Sequence, residues 1–133
     1  MKRIFSLAIV VCMSIFCLAS CASMESFEKN LKKDYDIEIA DLEAIEDLAD
    51  EMDLDFDDYD VTEAMFGRHE DNGRIIYIIK CGSNAKAKKL LDDMDDTIKE
   101  LDEYYLSFKV DAVVNGSFVL AGAESAIEDA LGE

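Results

Sequence analysis

The amino-acid sequence predicts one small α+β domain preceded by a targeting segment. Apolar residues recur at helical spacing in some segments and alternate with polar residues in others, so we expect both helices and strands. The 133 residues are half hydrophobic, which suits a single domain with its own core. The 31 acidic and 13 basic residues give a net charge of −18. This charge argues against nucleic-acid binding, which requires clustered cations.

Residues 1–20 have the parts of a secretory signal. Lys2 and Arg3 provide a basic start, and residues 4–18 are almost wholly apolar. At about 1.5 Å per residue, this run reaches roughly 22 Å as a helix, short of the ~30 Å hydrocarbon core of a bilayer. Such a length is typical of a cleaved signal and too short for a permanent membrane-spanning helix.

The signal ends in Leu18-Ala19-Ser20-Cys21. This sequence resembles the lipobox of bacterial membrane lipoproteins. The resemblance implies cleavage before Cys21, attachment of diacylglycerol to the Cys21 thiol, and acylation of the new amino group by a fatty acid such as palmitate. Several acyl chains anchor a protein stably where one is marginal. An ordinary cleaved signal and an uncleaved anchor are the alternatives.

The lipobox also predicts the organisation and location of the chain. We expect a signal peptide at 1–20, a lipidated cysteine with a short tether at 21–25, and a single domain at 26–133. The domain would be held at the extracytoplasmic face of the cell membrane. Its sequence loosely resembles small uncharacterised lipoproteins of Gram-positive bacteria, a resemblance that implies no function and no site residues.

The four cysteines favour a domain without a disulfide. Cys12 and Cys17 leave with the signal and Cys21 is lipidated, so Cys81 is the one thiol expected to stay free. Cys81 ends a predicted strand just before a helix, a position that can stabilise a thiolate. A small buried apolar residue is the simpler interpretation.

The first half of the domain shows both periodicities. Phe27 and Leu31, one turn apart, predict a short helix at 26–33, and residues 35–39 alternate as a half-buried strand does. Asp41 can cap the helix that follows, whose apolar residues recur at helical spacing through Met52. An acidic connector, 53–60, leads to a predicted strand at 61–68.

The second half continues in the same way. A turn at 69–73 leads to a strongly β-prone strand at 74–81. Ser83 can cap one long helix whose apolar face runs to Leu101. Alternation at 106–112 predicts a strand, and Asn115-Gly116 is a strong hairpin signal. The returning strand at 117–121 precedes a final short helix, 123–131.

The predicted order of elements is α-β-α-β-β-α-β-β-α. Its middle six elements match the split β-α-β arrangement of ferredoxin-like sheets. Right-handed crossovers would then give an antiparallel sheet in the order 4-1-3-2, with the fifth strand beside the fourth. The helices would cover one face of this sheet of about five strands.

Such a one-sided sheet would expose Ile76 and Ile78 of the strand at 74–81, whose two faces are both apolar. An exposed apolar patch marks an interface, so these isoleucines are candidates for self-association or for docking a protein partner. The alternative is that neighbouring long side chains, such as Arg68 and Lys109, or the N- or C-terminal helix cover them.

The acidic connector is a weak candidate for a metal site. Asp53, Asp55 and Asp57 have the spacing that opens an EF-hand loop, so Ca²⁺ is the expected ion. The sixth position of that loop would be Asp58 where a glycine is needed, and the twelfth would be Ala64 where a glutamate is needed. A solvated acidic edge is therefore the favoured interpretation.

A group of lysines lies around the start of the long helix: Lys80, Lys86, Lys88 and Lys89. With the free N–H groups of 82–89 they would suit a carboxylate or phosphate ligand. A β-hairpin would instead bring the acidic connector, with Asp57, Asp58 and Asp60, beside Lys80 and Lys86. We favour this internal neutralisation, because exposed pairs of this kind are common and weak.

The residues that carry catalysis are sparse. His69 is the only histidine and falls in a predicted loop, and no glycine-rich phosphate loop is present. We therefore expect a non-catalytic binding or interaction module without a cofactor. The alternative is a lipoprotein that binds a divalent cation or a small ligand through 53–60 or 82–89.

Overall fold

The computed structural model describes residues 23–133, so the signal and Cys21 lie outside the described part. These residues form an antiparallel sheet with helices on both of its faces. The helices are α1 (Met24–Leu31), α2 (Leu42–Met52), α3 (Asn84–Asp93), α4 (Asp95–Tyr104) and α5 (Glu124–Leu131), with a 3-10 helix at Phe56–Tyr59. The strands are β1 (Tyr35–Ile39), β2 (Glu63–His69), β3 (Ile75–Lys80), β4 (Val110–Asn115) and β5 (Phe118–Ala123).

The predicted α+β class and the five antiparallel strands are confirmed. The bounds of β1 and the end of α2 also agree with the sequence pattern. Both predicted hairpins are present: Arg68 pairs with Ile75 next to the first turn, and Asn115 pairs with Phe118 across the second. Local alternation and turn residues therefore specified the two hairpins correctly.

The predicted strand order is wrong. The sheet runs β1-β2-β3-β5-β4, so β1 lies at an edge and pairs antiparallel with β2. In the ferredoxin-like order, α2 would cross over to a second strand that runs parallel to β1 and is not its neighbour. In the structure α2 returns the chain to the neighbouring antiparallel position. The ferredoxin-like prediction therefore holds only for the class, helices packed on an antiparallel sheet.

The prediction of an open sheet face is also wrong. Helices α1 and α5 pack on the side of the sheet to which Ile76 and Ile78 point, and both isoleucines are fully buried. Phe27 of α1 makes an edge-to-face contact with Phe118, with 5.0 Å between ring centroids. These isoleucines therefore belong to the core and offer no docking surface. The alternative prediction, that a terminal helix covers them, is correct.

The opposite side of the sheet carries a second core under α2, α3 and the 3-10 helix. Its buried side chains include Ile45, Phe56, Leu90 and Met94, packed on Ile79 of β3. Strand β3 is thus buried on both sides. The apolar residues that the sequence showed on both of its faces serve two cores, one for each layer of helices.

The long helix predicted from Ser83 to Leu101 is two helices. It breaks at Met94, whose backbone leaves helical geometry (φ −88°, ψ 2°) while its side chain stays buried. Aspartates flank Met94 on both sides, two before and two after it, and aspartate is a poor interior helix residue. The break gives Asp95 and Asp96 the first turn of α4, where the helix dipole favours them.

Strand β4 begins at Val110, later than the alternation at 106–112 predicted. Leu106 is 91% exposed, and Phe108 stacks on Tyr105 at 4.9 Å between centroids. The carboxylate of Asp102 accepts a hydrogen bond from the N–H of Val110 at 3.0 Å. The segment after α4 is therefore a connection with its own aromatic contact, whose alternation imitates a strand.

Gly122 permits the close approach of β5 to β3. Its φ is +153°, and a Cβ there would lie 2.3 Å from the carbonyl oxygen of Ile75.

We expect Gly122→Ala to lower the free energy of unfolding by about 3 kcal/mol, since the backbone would have to move to admit the Cβ. Gly73→Ala, also at positive φ but in open space, should cost about 1 kcal/mol. Urea unfolding of both variants tests this, and equal losses would contradict it.

Candidate functional site

A groove crosses the sheet face between α2 and α4. A cleft of about 350 Å³ lies between α2 and strands β1 to β3, and a second of about 290 Å³ continues it to α4. The two clefts share Leu48, Glu51 and Tyr77 and so form one depression, called here the α2–α4 groove.

The floor of the groove is a row of side chains on neighbouring strands. Glu38 of β1 is registered with Phe66 of β2, and Phe66 with Tyr77 of β3. Side chains at registered positions point to the same side of a sheet and lie side by side. The rings of Phe66 and Tyr77 are 5.0 Å apart between centroids, inclined at 49°. They provide an aromatic floor that α2 and α4 leave partly open.

The walls come from two amphipathic helices. Helix α2 contributes Asp47, Leu48 and Glu51, which helical spacing places on one side of it. Helix α4 contributes Thr97, Glu100, Leu101 and Tyr104 at the same kind of spacing. None of the side chains of α4, all of them described, is fully buried. Leu48 of α2 and Leu101 of α4 are only partly buried, so each helix keeps an apolar side chain accessible from the groove.

The charge of the groove has one sign. Its described lining includes five carboxylate side chains and no Lys or Arg: Glu38, Asp41, Asp47, Glu51 and Glu100. One exposed apolar side chain, Tyr104 (76% exposed), lies at the α4 end of the groove. The groove is thus apolar at its floor and at that end, and anionic along its rim.

Tyr77 differs from the two buried tyrosines, Tyr35 of β1 and Tyr59 of the 3-10 helix, in the contacts of its hydroxyl. The hydroxyls of Tyr35 and Tyr59 donate to Asp129 and Asp93 at 2.8 and 2.6 Å. Within residues 23–133, no carboxylate accepts from the Tyr77 hydroxyl. Burial raises the pKa of Tyr77, and Tyr105 and Glu51 add to the rise. The ring therefore presents a neutral hydroxyl to the groove.

Sequence reasoning did not identify this groove. The prediction treated residues 74–81, which include Tyr77, only as an apolar strand, and it gave no role to Phe66, Glu51 or Tyr104. Those residues come from four elements that are distant in sequence, so no local spacing joins them. A sequence signal did exist in Tyr77, a residue with a polar end inside an otherwise aliphatic strand.

The proposed calcium ligands lie on the far side of α2 from the groove. Asp55 and Asp57 border a separate cleft of about 510 Å³ between α2 and the connector. The Asp55 carboxylate accepts the N–H of Asp57 at 3.0 Å, and Asp53 ends α2 in left-handed geometry (φ 58°). Leu54 and Phe56 turn inward, which leaves the aspartates exposed. In residues 23–133, no group of three His, Cys, Asp or Glu side chains is placed to hold a metal ion.

The lysines partly confirm the predicted internal neutralisation. Lys86 forms an ion pair with Asp60 at 2.6 Å, because the hairpin brings the start of β2 beside the end of β3. Lys80 bonds Glu63 at 3.2 Å, a partner that the sequence analysis did not name. The ammonium group of Lys89 lies 5.3 Å from the centre of the Tyr59 ring, and Lys88 is exposed.

Cys81 and His69 have structural surroundings. Cys81 is 2% exposed, and burial raises the pKa of its thiol to about 11. His69 stacks edge-on against Tyr35 at 4.9 Å, and its Nδ1 accepts the N–H of Asp71 at 3.1 Å. His69 thus ends β2 and shapes the turn to β3. Neither side chain lines the α2–α4 groove.

Comparison with protein-family models, with curated proteins and with solved structures found no match to this chain. In the part from residue 23 onward, no helix has both the length and the apolar character needed to cross a bilayer.

The ion pair of Lys86 should contribute little and depend on salt. We expect Lys86→Ala to lower the free energy of unfolding by about 0.5 kcal/mol at low ionic strength, because the pair is exposed. The loss should disappear in about 1 M salt, where the Debye length is only ~3 Å. Lys88→Ala is the matched control and should have no effect. Equal losses for the two variants in low salt would contradict the assignment.

The raised pKa of Cys81 predicts a loss of stability in alkali. An unfolded thiol ionises near pH 9, whereas the native thiol ionises near pH 11. Between these values the unfolded chain binds fewer protons than the native one, so the free energy of unfolding falls as the pH rises. Cys81→Ala should therefore lose less stability than the wild type between pH 9 and pH 11. Urea unfolding at each pH measures this, and parallel losses would refute it.

Proposed function

We propose that this chain is a lipid-anchored binding module on the extracytoplasmic face of a bacterial membrane, and that its ligand occupies the α2–α4 groove. The observation that carries the proposal is the aromatic floor of that groove, with a partly buried Tyr77 and the exposed apolar side chain of Tyr104 at one end. Ligand sites are concave and mostly apolar, with a few polar groups that fix orientation. The groove has this composition.

The lipobox supports the anchoring part of the proposal. Helix α1 begins at Met24, and its capping box is formed by Ser23 and Ser26. Only Ala22 and Ser23 stand between Cys21 and that helix. Three residues of extended chain reach at most about 11 Å, so an acylated Cys21 would keep the domain close to the membrane surface.

The surroundings of the two candidate nucleophiles favour binding over catalysis. A thiol with a raised pKa is mostly protonated at neutral pH and is a weak nucleophile. The Nδ1 atom of His69 is occupied by backbone N–H groups of its own turn. Neither group lies in a cleft with a positioned partner, which general acid–base chemistry requires. The module we propose is therefore non-catalytic.

Cys21→Ala tests the anchor. Cells that express the full chain and are fed a palmitate analogue should label the wild-type protein and place it in the membrane fraction. The Cys21→Ala variant should lose the label, since it has no thiol for diacylglycerol. Cys81→Ala is the matched control and should keep it, because Cys81 is a buried core residue. Equal labelling of wild type and Cys21→Ala would overturn lipid anchoring.

A further inference from the structure

We infer that the α2–α4 groove takes a basic segment of a polypeptide partner, in which lysine or arginine side chains alternate with apolar ones. This inference rests on the function proposed above and names the class of ligand. Its first support is charge. Five carboxylates line the groove and no cation lies among its described lining residues, so an anionic or neutral ligand would leave them repelling one another. Complementary charge also raises the rate of encounter.

The second support is the aromatic floor. Phe66 and Tyr77 present ring faces and edges beneath the carboxylates. Aromatic rings bury apolar side chains well and attract ammonium and guanidinium groups over their faces. A residue with an apolar body and a cationic end, such as lysine or arginine, satisfies both the floor and the rim. The Tyr77 hydroxyl can donate to a backbone carbonyl of the segment.

The third support is shape, which favours a peptide over a small cation. The groove stays open to solvent and passes from β1 across the sheet to α4 through two joined clefts. A compact metabolite is usually enclosed over most of its surface. Here the exposed side chain of Tyr104 extends the apolar surface beyond the second cleft. An elongated ligand contacts both clefts, whereas a small cation contacts only one.

The test must separate the groove from the overall charge of the protein, which attracts any cation. We would place the full chain in nanodiscs of zwitterionic lipid and subtract the signal of empty discs. The probe is a short, terminally blocked peptide of lysines alternating with leucines and one tryptophan. Since the protein has no tryptophan, peptide emission reports binding directly. A second peptide has serines in place of leucines, and a third has glutamines in place of lysines.

Two double variants of α2 remove the same charge from different sides of the helix. Asp47→Asn with Glu51→Gln changes two residues that line the groove, and we expect about tenfold weaker binding of the lysine–leucine peptide. Glu46→Gln with Asp50→Asn changes two exposed residues that line the cleft on the far side of α2, and binding should stay within about twofold of the wild type. The lysine–serine peptide should bind at least tenfold more weakly than the lysine–leucine peptide.

Each contrary result has its own meaning. Equal weakening by the two double variants, or equal binding of the lysine–serine peptide, would overturn the inference in favour of attraction by overall charge. Binding of spermidine as tight as that of the peptide would overturn the peptide class in favour of a small cation. If the glutamine peptide bound as tightly as the lysine–leucine peptide and lost affinity in Tyr77→Phe, that result would overturn the cationic ligand. It would still support ligand binding in the groove. Circular dichroism of every variant confirms that it is folded.

Discussion

The burial of β3 on both faces is the constraint on which the rest of the structure depends. An aliphatic strand in the middle of a sheet cannot leave either face in water without exposing several large side chains. The chain therefore supplies two layers of helices, α1 with α5 on one side and α2 with α3 on the other. The edge position of β1 and the insertion of β5 beside β3 follow the same need, because they keep β3 central.

The two layers are not equally complete, and the difference creates the groove. Helices α1 and α5 cover their side with small and large apolar residues that are fully buried, including Ala126 and Ala130. On the other side α4 separates from α3 at Met94 and buries none of its own described side chains fully. On this side Phe66 and Tyr77 are only partly buried. Helix α4, which begins after the break at Met94, forms one wall of the groove proposed for binding.

The sequence sufficed for the local elements and failed for the relations among them. Alternation and turn residues placed β1 and both hairpins correctly, because those features depend on a few consecutive residues. The order of the strands depends on where α2 returns the chain, and no residue in α2 specifies that. Ile76 and Ile78 were correctly recognised as apolar, but whether a helix covers them depends on elements far away in the chain. The candidate site failed for the same reason, since Glu51, Tyr77 and Tyr104 meet only in the fold.

The acidic composition takes on a more specific meaning once the contacts are considered. The chain has a net charge of −18, which would repel it from an anionic membrane surface within about a Debye length of ~8 Å. The lysines near α3 compensate nearby acids, Asp60 of the connector through Lys86 and Glu63 of β2 through Lys80. The carboxylates of the α2–α4 groove have no such compensation within its lining. Repulsion among these carboxylates costs stability, and exposed apolar surface beside them costs solubility. A partner segment with cationic and apolar side chains would relieve both costs.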